Sequence, residues 1–149
     1  MKCRFLVLIC LVVFSLYSCK KETPVPTTGT LLLGKWYFTT QASVLYRNDK
    51  EIATFNKTSF TNEDFIEYYN DGSGFYSKST SSGPSLSEFT YTLSGSTITQ
   101  YTSSENGGMP ETIKSITSNG LSVHVVQLVP DPNDPTVTDT EIDDLTYTK

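Results

Sequence analysis

The 149-residue chain has little of what most enzymatic sites are built from. It holds one histidine, His124, and three cysteines, two of which, Cys3 and Cys10, lie in an apolar N-terminal stretch. Cys19 is left alone downstream, and a lone cysteine closes no internal disulfide. A zinc site or a nucleophilic triad needs further partners; no His-Glu-x-x-His or Gly-x-Ser-x-Gly is present. Basic charge is also scarce: apart from Lys2 and Arg4, 9 Lys and Arg stand against 16 Asp and Glu. No basic stripe exists to displace phosphate counterions, which excludes nucleic acid as a partner. Large apolar residues are thin too. Leu, Ile, Val and Phe make up 28 of the 131 residues after position 18, close to the roughly 20% below which chains tend not to fold.

What the chain has instead is Ser and Thr, 38 of those 131, with eight Tyr, six Phe and one Trp. This mixture suits pleated, half-buried surfaces and suits helices poorly. The length fits one ordinary domain.

Residues 1–19 form a distinct unit. Lys2 and Arg4 precede an apolar run from Phe5 to Leu16 broken only by Ser15. Twelve residues at about 1.5 Å each fall short of the ~30 Å hydrocarbon core, so the run reads as a secretory leader rather than a membrane span. Leu16-Tyr17-Ser18-Cys19 resembles the bacterial lipobox, although Tyr17 is bulkier than that motif's usual residue. The resemblance implies cleavage before Cys19, a diacylglyceryl group on its thiol and an acylated amine. Two or more acyl chains make such an attachment stable. Lys20-Lys21-Glu22 then leads into a Thr/Pro stretch that reads as an extended tether to residue 30. The charged cluster is similar to surface-export signals of Bacteroidetes lipoproteins, which implies the outer membrane and leaves the leaflet open.

From residue 31 onward, short alternating runs are separated by turn dipeptides. In the first run, positions 36, 38, 42, 44 and 46 share an apolar face. Three hairpins are expected at Asp71-Gly72, Ser94-Gly95 and Asn119-Gly120, because these pairs tolerate the positive φ of two-residue turns. With those loops, Tyr91 opposes Ile98, Phe89 opposes Gln100, Ile116 opposes Val123, and His124 opposes Ser115. The strands expected are 35–46, 50–58, 64–70, 73–79, 87–93, 96–102, 111–118, 121–129 and 144–148. Sequential hairpins imply an all-β antiparallel up-and-down meander. About eight strands can close into a barrel, filled or holding one small ligand. A two-sheet β-sandwich is the alternative.

Gly34-Lys35-Trp36 resembles the Gly-x-Trp signature of lipocalins. The order Leu32-Leu33-Gly34-Lys35-Trp36, Tyr69-Asn70-Asp71-Gly72, Tyr91-Thr92-Leu93-Ser94-Gly95-Ser96-Thr97-Ile98 and Ile113-Lys114-Ser115-Ile116-Thr117 is similar to lipocalin-like domains of Bacteroidetes lipoproteins. The resemblance implies a barrel over 31–149, with Trp36 packed across its closed end. The second lipocalin motif and an arginine on the last strand to cover Trp36 are missing, so no ligand is inherited.

Few side chains are candidates for a site. Trp36, Phe38, Tyr68, Phe75, Phe89, Tyr91, Val123 and Val125 would line the barrel interior, either filling it as core or bounding an apolar pocket. His124 alternates with Val123 and Val125 and so points to solvent. Residues 130–144 read as an acidic, proline-bearing surface loop without the Asp-x-Asp-x-Asp-Gly calcium pattern. Glu63-Asp64 reads as a solvated turn. Paired carboxylates for glycoside hydrolysis cannot be picked out from 16 acids.

The chain is thus expected to be a non-enzymatic, lipid-anchored, monomeric protein without a cofactor or metal. Its barrel would bind a small hydrophobic ligand or envelope component. The alternative is a solid barrel that contacts protein or glycan as a structural module.

Overall fold

Alternation of apolar and polar residues is realised as a continuous antiparallel ladder. The computed structural model describes residues 25–103 and 107–149, so the expected leader, Cys19 and the start of the tether lie outside the described residues. The strands are β1 (Gly34–Arg47), β2 (Lys50–Lys57), β3 (Phe65–Tyr68), β4 (Ser73–Thr80), β5 (Gly83–Ser94), β6 (Thr97–Tyr101), β7 (Met109–Ile116), β8 (Gly120–Asp131) and β9 (Asp134–Thr148). A single helical turn, α1 (Thr28–Leu32), precedes them, so the end of the segment expected as tether is helical. Thr27 caps it, its hydroxyl accepting from the Thr30 amide. Among the described residues no helix is long and apolar enough to cross a membrane.

Strands β3 to β9 pair in sequence, and β9 pairs back onto β1 from Thr148↔Tyr37 to Thr140↔Tyr46. Eight strands therefore close into an up-and-down barrel, which rules out the sandwich. β1 splits its other edge between two partners. Gly34 to Tyr37 pair with β3, and Gln41 to Arg47 pair with β2, the ninth strand, which lies outside the closed ring.

The turns differ from expectation in instructive ways. At β5–β6 the two loop residues are Gly95 and Ser96, with Ser94↔Thr97 and Leu93↔Ile98. Gly95 has φ +61°, the first-position glycine that a type II′ turn requires. Tyr91 thus opposes Gln100, not Ile98. A partner shift of two keeps every side chain on its expected face. At β7–β8 the Asn119-Gly120 pair is not a two-residue turn. Thr117 takes over, its hydroxyl accepting from the Asn119 and Gly120 amides, and Ile116 opposes Leu121. A bulge at Lys114 then places Ile113 opposite Val123 and Thr112 opposite His124. At β3–β4, Gly72 has φ +83° and donates to the Tyr69 carbonyl at 3.3 Å. The β1–β2 turn uses Asn48 and Asp49, both at positive φ, the pattern of a type I′ hairpin.

Two further corrections shape the interior. A bulge between Phe38 and Thr40 switches the parity of β1. Trp36 and Phe38 point inward as expected, but Gln41 and Ser43 follow them inside, not Ala42, Val44 and Tyr46. The acidic segment expected as a loop is strand: β8 runs to Asp131 and β9 starts at Asp134. Arg47 holds this ribbon. Its Nε and Nη2 donate to the two Asp139 carboxylate oxygens, each at 2.8 Å, and Nη2 also bonds Asp131. The fork-like pairing raises the Arg47 pKa and lowers that of Asp139, which is 1% exposed.

The closed end holds most of the apolar core: Leu32, Trp36, Tyr68, Ile98, Ile113, Leu121 and Val123. Trp36 is fully buried, and its indole N–H donates to the Leu32 carbonyl at 2.6 Å. Helix α1 thus seals this end through a bond from the first strand. The missing arginine has a substitute in Lys149, whose Nζ lies 4.5 Å from the Trp36 ring centre and donates to the Leu31 carbonyl at 3.0 Å.

Candidate functional site

The strands that close the barrel at Trp36 leave it unfilled towards the other end. β1, β4, β6 and β8 run towards this mouth, and β3, β5, β7 and β9 run away from it. Inward positions near the mouth bound a cavity of about 320 Å³. This is room for about ten water-sized groups, at the small end of ligand pockets.

The apolar wall consists of Phe38, Ile66, Tyr76, Phe89, Met109, Val125, Leu145 and Tyr147. Phe38 is central to it. Its ring packs on Tyr147 at 4.5 Å and Tyr76 at 5.7 Å between centres, and Phe60 from the β2–β3 connection stacks on it at 5.4 Å. That connection is pinned by Asp64, which accepts from the Thr61 amide and hydroxyl and, across to β4, from the Ser79 amide at 2.9 Å. Asp64 is therefore buried rather than solvated. Burial pushes its pKa up, but these bonds outweigh it and leave the carboxyl below its ordinary range.

Polar groups converge on the same cavity. Gln41, Gln100, Glu111, Gln127 and Asp143 all line it. Asp143 is 5% exposed and fully engaged: Ser43 and Gln41 donate to one oxygen and Gln127 donates to the other. Glu111 is equally buried but only half engaged. Gln100 Nε2 donates to its Oε1 at 2.8 Å and to the Tyr68 hydroxyl at 3.2 Å. Its Oε2 has no hydrogen-bond partner among the described residues. Burial raises the Glu111 pKa to about 7, with the Gln100 bond opposing it only in part. Tyr68 and Tyr147, fully enclosed nearby, are raised well above their ordinary value by burial first and the Glu111 charge second.

Of the eight interior residues expected from sequence, the cavity brings together Phe38, Phe89 and Val125. Trp36, Tyr68 and Val123 lie deeper, in the core beneath it. Tyr91 packs against Tyr68 at 5.0 Å, and its hydroxyl donates to the Tyr69 carbonyl. Phe75 is a correction: it points outward and meets Tyr69 at 6.0 Å. The inward neighbour on β4 is Gly74, whose missing side chain makes room for the Phe89 ring. His124 faces outward as expected and bonds Asp144 across the β8–β9 ladder at 2.8 Å. The polar residues of the cavity carry no signal in the sequence, where alternation implies apolar residues inside.

The sequence matches no protein-family model, and no curated protein matches it at a significant level. Among solved structures, a lipocalin-like protein from Bacteroides uniformis aligns with it at 12% identity and a TM-score of 0.47. The alignment covers 75% of this chain and 96% of that one. The barrel assignment rests on the strand ladders described above.

Proposed function

We propose that this chain is an outer-membrane lipoprotein anchored through acylated Cys19, and that its lipocalin-like barrel binds a small, largely apolar molecule without transforming it. The observation that supports binding is the cavity of about 320 Å³ at the barrel mouth, with eight apolar side chains around a few convergent polar groups. A filled barrel acting only as a structural module would have no use for such a space. The anchor reading is supported by the order of basic residues, apolar run, small residue and cysteine over 1–19.

Native mass spectrometry of the protein purified from its own envelope tests the binding reading. A co-purifying small molecule is expected, and Val125→Trp, which fills the cavity, should abolish it while the barrel remains folded. A bare mass together with no calorimetric response to small aromatic alcohols would favour the solid barrel. The anchor is tested separately: Cys19→Ala should move the protein out of the membrane fraction.

A further inference from the structure

We infer that the molecule bound in the barrel carries a cationic nitrogen, an ammonium on a compact apolar body, with Glu111 as its counter-charge. This rests on the binding reading above and narrows it to one chemical class. Two carboxylates, those of Glu111 and Asp143, face the cavity, while the exposed Glu88 pairs with Phe75 and points outward with it; no lysine, arginine or histidine is among the lining residues. An anionic occupant such as a fatty acid would therefore enter a site with two potential negative charges and no positive one.

The second observation is the state of Glu111. Asp143 receives hydrogen bonds on both oxygens, whereas Glu111, a residue of the cavity lining, has a buried Oε2 that receives none from the described residues. A buried carboxylate oxygen without a donor is costly, and a ligand N–H would satisfy it with a charge-assisted bond. The aromatic rings of Phe38, Tyr76, Phe89 and Tyr147 supply half of the apolar wall. They suit an apolar body and favour a nearby cation through their faces.

The titratable groups around Glu111 are Tyr68 from β3, and Asp143 and Tyr147 from β9. The two tyrosines stay neutral across the working range. In the empty protein Glu111 takes up a proton near pH 7, and an ammonium must displace it. Binding should therefore strengthen from pH 5 to pH 8 and release a proton at the lower pH.

The test is calorimetry on the processed protein in lipid nanodiscs, with empty nanodiscs as blank and three probes of equal bulk: 2-phenylethylamine, 2-phenylethanol and phenylacetate. At pH 8 the amine should bind about tenfold more tightly than the alcohol, or better, and phenylacetate should bind least. The amine's affinity should fall about tenfold or more at pH 5, while the alcohol's should hold. Glu111→Gln should bring amine and alcohol to within about threefold of each other and remove the pH dependence. Alcohol binding with no preference for the amine overturns this inference and leaves the cavity reading standing. Failure of all three probes overturns both. The wild-type pH comparison decides the matter even if the variant does not fold.

Discussion

Glu111→Gln is a rare case in which a change inside the barrel should stabilise the fold. The glutamate is 5% exposed, and its pKa moves from an ordinary 4.5 to about 7 on folding. Because the folded protein holds this proton more tightly than the unfolded chain, stability falls as pH rises from 4.5 and levels off above 7. At about 1.36 kcal/mol per pH unit, the full loss is about 3 kcal/mol. Glutamine keeps the acceptor oxygen that meets Gln100 and carries no charge to bury. For a domain of this size, about 3 kcal/mol corresponds to roughly 10 °C in melting temperature. Thermal unfolding followed by circular dichroism at pH 4.5, 6 and 8 should show the variant ahead by roughly that margin at pH 8 and level with the wild type at pH 4.5. An equal gap at all three pH values, or a variant that melts lower at pH 8, would refute the reasoning. A residue that destabilises the empty barrel at neutral pH is explained more readily by what it binds than by what it holds together.

Three other substitutions probe the frame. Trp36→Phe removes the indole donor from the buried Leu32 carbonyl and should cost about 2 kcal/mol, read as a lower urea midpoint with unchanged slope. Gly74→Ala would push a methyl into the Phe89 ring and within 2.6 Å of the Glu67 carbonyl, neither of which can retreat; the protein should be insoluble or melt well below wild type. Arg47→Met unclasps Asp131 and Asp139 at the tip of the β8–β9 ribbon. Hydrogen exchange should quicken across residues 128–138, while amides around Trp36 keep their protection.

Faces were more legible in the sequence than registers. The hairpin through Gly95 is paired two residues away from expectation, yet Phe89, Tyr91, Leu93 and Ile98 still face inward, because a turn displaced by one residue changes partners by two. Bulges break that immunity. The extra residue near Thr39 flips the outer half of β1, and nothing in Phe38-Thr39-Thr40-Gln41 announces it; the flip is set by joining β1 to β9. The same event hides the site, since it brings Gln41 and Ser43 beside Asp143 from a distant strand. The acidic stretch before residue 144 reads as loop because Asp and Pro disfavour strands locally. Tertiary pairing with Arg47, the one arginine after position 4, outweighs that preference. Phe75 faces outward for a simpler reason: the inward position beside it is Gly74, where the Phe89 ring leaves no room for a side chain.

Closure gives each of eight strands a partner on both sides over part of its length, and leaves β2 with a partner on one side. Among the described residues β2 pairs only with β1, so its far side offers a row of amides and carbonyls that no other described strand meets, with Ile52 and Phe55 exposed along it. Such a rim can recruit another strand, from a second copy or a foreign chain. Lys50, Glu51 and Lys57 place charge at both of its ends, and the strand is only eight residues long. For a chain anchored as proposed, crowding on a membrane surface, where neighbours cannot diffuse away in three dimensions, is where that guard would matter most.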